Sequence, residues 1–374
     1  MNADNQQVQV SARVLYEGKD PNLQGVASAV QEAFGAPPEP ADDDRSGPIA
    51  LPLGAAPPPG LDEASVVVSL DPESDSMAHE AGVATRVVLF PSFDTAWSGP
   101  LDADLVLVAH DGMIPDVVSH GAARKRVHTV GPVAPIGWGP AEDRLALLEA
   151  RQLAGPVVVV RAAALLEGDL APSLVQLSLV RGAGTWLFDV GSDASLAAEL
   201  RRRVPGHGLR ARMFADGPEA QAAYRAADVV LGRIAGPEVL RALAVGASVA
   251  TVAPRSSQAR LAHRLESEGL AQIADAAATL AVTLDASLSE TRMAAGRAAS
   301  LAAAAPEGAT RVVRTVSEAL AGRLGDAPPT GLPVGLEPLD AGEEPAVSPP
   351  VPEQDDLDKQ VDDELAALRA KLGL

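Results

Sequence analysis

The sequence predicts an α/β protein made of two doubly wound halves, each a parallel sheet covered by helices, facing one another across a cleft. Two observations carry this prediction. Short β-branched runs alternate with Ala-rich helical segments almost from end to end, the pattern of parallel strands that return through helices. The chain also has 374 residues at 47% hydrophobic content, more than one ordinary core holds, which favours two domains.

Strands are expected first at Ser11–Tyr16, Ser65–Leu70, Arg86–Phe90, Leu105–Ala109 and Val127–Val130. Residues 36–60 are Pro-rich, carry Asp42-Asp43-Asp44 and read as a loop insert whose one candidate for a short strand is Ile49–Leu53. Gly131–Pro140, dense in Gly and Pro, reads as an interdomain linker. A second strand series is expected at Val157–Arg161, Thr185–Val190, Leu209–Phe214, Asp228–Leu231, Ser248–Val252 and Ala271–Ala274. The boundaries that follow are an N-terminal Rossmann-like domain at 1–135 and a C-terminal Rossmann-like domain at 136–325, ending in a helix near Thr310–Leu324.

Beyond it, residues 326–354 are rich in Pro, Gly and acid and read as a disordered linker. Leu357, Val361, Leu365, Leu368 and Leu372 then recur at helical spacing, which predicts an amphipathic helix over 355–374. Asp355 and Asp356 stand at its start and Arg369 and Lys371 near its end, as the helix dipole prefers. A stripe this short is marginal alone. It reads as a segment that docks on a partner or a second copy, with its own domain as the alternative surface.

Composition excludes several classes of chemistry. There is no cysteine, so disulfides, thiolate metal sites and thiol catalysis are out. His79, His120, His128, His207 and His263 show no metal-ligand spacing, and no cofactor or metal is expected. A formal charge of −20 argues against a nucleic-acid partner, whose phosphates need clustered Lys and Arg. The polar first residues and the lack of a long apolar run predict neither export nor an integral membrane segment. A cytoplasmic location, or one at the inner face of the cell envelope, is expected.

The most informative stretch is Ala227–Pro254: a strand, a tight turn, a helix beginning near Gly236 and a second strand closed by Pro254. It brings a helix N-terminus to the carboxyl edge of a parallel sheet, where backbone N–H groups and the helix dipole favour a phosphate. The alternative is an ordinary βαβ unit in which Asp228 caps the preceding helix. His110 and Asp111, at a strand end between the domains, are the candidate catalytic pair, with His110 as general base. The alternative for them is a cap on the next helix.

Ala227–Gly246 resembles the nucleotide-sugar-binding segment of GT-B glycosyltransferases of family 28, the type that includes the lipid II N-acetylglucosaminyltransferase and the monogalactosyldiacylglycerol synthases. Ala103–Val108, Val127–Val133, Glu142–Leu153, Pro156–Val160 and the set Pro254, Gln258 and Gly269 fit the same family in order and spacing. The resemblance spans 103–274. It implies a GT-B fold and hexosyl transfer from a nucleotide sugar, UDP-linked, to a lipid or other hydroxyl acceptor.

The resemblance also shows departures. Arg241 stands where the family has a glutamate that accepts both ribose hydroxyls, and arginine only donates. Ala235 and Pro237 stand where glycines let N–H groups reach the diphosphate, and proline has no N–H. Neither Tyr16–Gly25 nor Arg161–Gly168 is a glycine-rich loop, the first lacks the family's histidine, and Leu261 replaces an asparagine. Arg161, Arg233, Arg241 and Arg255 could supply replacement contacts, since guanidinium groups bind diphosphates bidentately. With Gly236 and Gln258 they form the candidate nucleotide-sugar site; ordinary ion-paired arginine is the alternative. Three functions follow: an active glycosyltransferase, a non-catalytic GT-B-like scaffold with a degenerate site that recruits a partner through its C-terminal helix, and a sugar-nucleotide epimerase.

Overall fold

The computed structural model describes residues 12–17, 21–35, 48–51, 61, 64–165, 170–252, 256–303 and 307–322. All of them fall in one compact unit, Met1–Leu332. The amphipathic segment 355–374, the linker 326–354 and Arg255 lie outside the described residues.

Among the described residues, twelve strands form two sheets. β1 (Ala12–Glu17), β2 (Ile49–Leu51), β3 (Val66–Ser69), β4 (Arg86–Phe90), β5 (Leu105–Val108) and β6 (Val127–Thr129) make the first, in the order β2-β1-β3-β4-β5-β6. β7 (Val157–Arg161), β8 (Thr185–Asp189), β9 (Ala211–Phe214), β10 (Val229–Leu231), β11 (Ser248–Val252) and β12 (Ala271–Ala274) make the second, in the order β12-β11-β10-β7-β8-β9. Every pairing is parallel. Helices cover both faces, so β3, β5, β8 and β10 are buried at every position. This is why their sequences are runs of apolar residues, with polar ones confined to strand ends, rather than alternating ones.

Within the Pro-rich insert the expected candidate strand is present: Ile49–Leu51 pairs with β1 in the register Leu15↔Ile49 and forms the sheet edge. One placement differs from the sequence expectation. The helix Gly308–Leu320, grouped by chain order with the second half, buries Val312 and Val316 in the core of the first sheet beside Val14 and Val30. Chain order puts it last, but its apolar face fits the sheet surface left beside the helix Pro21–Phe34. The halves also share one continuous apolar cluster, in which Phe93 and Met113 join Leu261 and Leu265.

Candidate functional site

In each sheet the chain reverses its direction of winding once, between β1 and β3 in the first and between β7 and β10 in the second. A parallel sheet offers a ligand crevice outside the carboxyl ends of its strands at that reversal. The second sheet gathers most of its charged side chains there. Arg161 ends β7, Asp189 ends β8, Asp216 follows β9, and the loop after β10 leads through Arg233 and Gly236 into the helix Pro237–Val245.

That helix begins as its sequence dictates. Gly236 is the N-cap, with φ −78° and ψ 153°. Pro237 takes the first helical position, where its missing N–H costs nothing. Glu238 follows in the first turn, where the dipole favours an acid, and is 1% exposed. Its carboxylate turns back into the preceding loop and accepts the Arg233 backbone N–H at 2.8 Å through Oε1, while Oε2 has no hydrogen-bond partner. A Cβ at Gly232 or Gly236 would overlap the Glu238 side chain. The helix end that suits a phosphate therefore already holds a carboxylate.

Behind this loop lies a buried ionic cluster centred on Asp189, which is fully buried. Its Oδ1 meets Arg161 Nη1 at 2.7 Å and accepts the Gly191 N–H at 3.0 Å. Its Oδ2 accepts the Tyr224 hydroxyl at 2.8 Å and lies 3.5 Å from Arg241 Nη1. Arg241 reaches on to Asp216 at 3.2 Å and sits 5.1 Å over the Trp138 ring and 5.5 Å over that of Tyr224, so cation–π attraction adds to the ion pairs. Burial, then the charges of Asp189 and Glu238, push the Tyr224 hydroxyl well above the usual tyrosine range, and it stays a neutral donor. Burial disfavours the charge on Arg161, but Asp189 and Glu238 outweigh it and hold its pKa above the ordinary arginine value.

Arg233, Gly236 and Gln258 line a cleft of about 540 Å³, faced from the first half by Asp94, Asp116 and His120. Its size matches small-molecule sites. Three of the expected nucleotide-sugar residues thus come together, whereas Arg161 and Arg241 lie outside this lining and are ion-paired with Asp189. Asp228 stands at the start of β10, away from the crevice, where it accepts the Val157 N–H at 2.8 Å and pairs with Arg144 at 2.6 Å.

His110 is 3% exposed and takes a structural position. Its Nδ1 accepts the Gly112 N–H at 2.9 Å, capping the short turn Asp111–Met113. This leaves Nε2 to donate to Glu268 Oε2 at 2.7 Å across the two halves. Asp111 accepts a hydrogen bond from the Thr129 hydroxyl. Arg264 Nε holds the other Glu268 oxygen at 3.2 Å. Burial alone would raise the Glu268 carboxyl, but the hydrogen bond from His110, followed by that from Arg264 and its charge, prevails and holds it below the usual glutamate value. A depressed folded pKa means that the stabilisation is complete above the unfolded value, about 4.3, and is lost as pH falls through the lower folded one. Urea midpoints measured on descending through that window are expected to drop more steeply for the native chain than for Glu268→Gln. Parallel curves would remove Glu268 as an acid-sensitive link between the halves.

Sequence reasoning missed Asp189, Tyr224, Glu238 and Glu268. An acid directly after a proline at a helix start was a usable signal for Glu238. The others meet their partners only through the fold. Among the described residues, no group of three His, Cys, Asp or Glu could hold a metal, and no helix is long and apolar enough to cross a membrane.

Two parallel sheets wound on both faces, with a cleft between their halves and the last described helix returning to the first sheet, define a GT-B-type α/β architecture. No family profile and no curated protein sequence matches the chain. Solved structures share the fold. Anabaena HepE, described in complex with UDP and glucose, is 11% identical with a TM-score of 0.59, over 83% of this chain and 99% of that one. A glycosyltransferase from Rickettsia africae is 9% identical with a TM-score of 0.57 over 83% and 99%, respectively. A putative UDP-N-acetylglucosamine 2-epimerase from Listeria monocytogenes is 11% identical with a TM-score of 0.58, over 85% and 99%.

Proposed function

We propose that the chain is a glycosyltransferase-like GT-B protein that keeps the interdomain cleft of a nucleotide-sugar enzyme but serves as a non-catalytic scaffold. The observation that carries this reading is the Glu238 carboxylate at the N-terminus of the helix Pro237–Val245. A diphosphate entering there meets a buried carboxylate that Arg233, with Nε 3.8 Å from Oε1, offsets in part, while Arg161 and Arg241 are paired with Asp189. Calorimetry with UDP and UDP-glucose is expected to show no saturable heat at millimolar ligand. Micromolar binding would sink the scaffold reading.

In this reading the domains are 1–135 and 136–325, and the apolar stripe of Leu357, Val361, Leu365, Leu368 and Leu372 recruits a protein partner on the tether 326–354. Deleting residues 354–374 is expected to release the partner that accompanies the full chain while leaving Tm unchanged. A large fall in Tm would instead make the segment part of the fold.

The size of the cleft favours a second reading, hexosyl transfer from a UDP-sugar to a hydroxyl acceptor, lipid or otherwise, at the inner face of the envelope. Structural neighbours described with UDP or UDP-glucose support that donor. His120, Asp94 and Asp116 face the cleft in that case, whereas His110 and Asp111 are held by Glu268 and Thr129. An epimerase is the third reading, supported by its presence among the fold's relatives.

A further inference from the structure

A second cavity, of about 330 Å³, lies where the chain leaves the first sheet. Its walls are Phe93 after β4, Gly131 after β6, Leu270 before β12, and the face of the helix Gly308–Leu320 that carries Arg311, Arg314 and Glu318. None of the expected nucleotide-sugar residues lines it, although His110, expected as the general base, does.

Arg311 is half-buried and packed over Gly131, whose φ is +81° and where a Cβ would overlap the guanidinium. Its Nε donates to Val130 O at 2.5 Å, which fixes the plane of the fork. Its terminal nitrogens have no acceptor among the described residues, and no carboxylate there lies within ion-pair distance of Arg311 or Arg314. Burial disfavours the charge on Arg311; Glu307 one turn earlier supports it, and Arg314 opposes it. Two unpaired cations therefore share one small space with a single acid, Glu318, and the lining carries one net positive charge. The remaining wall is apolar, from Phe93, Leu270 and Ala303.

We infer that this cavity binds a small organic carboxylate, with the carboxyl group held by Arg311 and Arg314 and a compact apolar body against Phe93 and Leu270. A planar fork fixed at Nε matches a carboxylate bidentately, and one negative charge balances the lining. Phe93 and Leu270 come from opposite halves, so the ligand bridges them.

Benzoate and its neutral isostere benzamide test the inference by calorimetry on the full chain. Benzoate is expected to bind saturably at millimolar concentration and benzamide not to bind. Arg314→Ala, at an exposed position, is expected to keep the native Tm and weaken benzoate roughly ten- to hundredfold, the range of one charged hydrogen bond. Arg311→Lys, which keeps the charge but loses the fork, is expected to weaken it as well. Equal binding of benzoate and benzamide, benzoate binding unchanged in Arg314→Ala, tighter binding of phenyl phosphate than of benzoate, or no benzoate heat at all would each overturn it.

Discussion

Replacing Asp189 with alanine is expected to cost about 3–5 kcal/mol of folding stability, the range for breaking a buried ion pair by removing one partner. Arg161, Arg241, Tyr224 and the Gly191 N–H all converge on this carboxylate. Its loss leaves the Tyr224 hydroxyl, which is fully buried, without its acceptor, and removes one carboxylate partner from Arg241, which is only 5% exposed. Urea unfolding followed by far-ultraviolet circular dichroism measures the effect. Arg203→Ala, which breaks the exposed pair with Glu199 at 2.8 Å, is the control and is expected to change stability by less than about 1 kcal/mol. If Asp189→Ala matched that control, the ion pairs made by Asp189 would contribute nothing to the fold.

Glu238→Gln is expected to raise the affinity for UDP by about two orders of magnitude. A carboxylate and a phosphate about 5 Å apart at an effective dielectric of about 20 repel by about 3 kcal/mol, and each 1.4 kcal/mol is about tenfold. Glutamine keeps the volume that fills the space beside Gly232 and Gly236 and keeps an acceptor for the Arg233 N–H, so the fold is preserved. The oxygen without a partner becomes an amide N–H₂ that can donate to a phosphate. Titration of both proteins with UDP decides the matter. Equal affinities would show that Glu238 does not close the donor end of the cleft.

Much of the fold was legible in the sequence, and the reason is the burial of parallel strands on both faces. Val157–Arg161 and Leu105–Val108 could only be interior strands, because so many consecutive apolar residues have no solvent face to spare. The helix after Gly236 was equally plain from the strand-turn-helix order and from Pro237 at its first position. The edge strand Ile49–Leu51 was legible as a candidate, although it is short, lies in a Pro-rich insert and becomes a strand by pairing with the edge of β1. Less local features were not legible. The return of Gly308–Leu320 to the first sheet depends on which apolar surface is left uncovered, which no helical periodicity encodes.

The candidate site divides in the same way. The sequence by itself determined that Gly236 heads a helix at the carboxyl edge of a parallel sheet and that Arg233 stands three residues before it. Local propensity and apolar period suffice for that, since each acts over a few neighbouring residues. Only the tertiary structure decided how the charges are used. Arg161 and Arg241 are drawn inward because Asp189, 28 residues from Arg161 along the chain, is buried at the end of the adjacent strand and must be neutralised. His110 is drawn to Glu268, 158 residues away, because packing of the two halves removes both from water. Desolvation makes such pairings obligatory, and it arises only when distant segments meet.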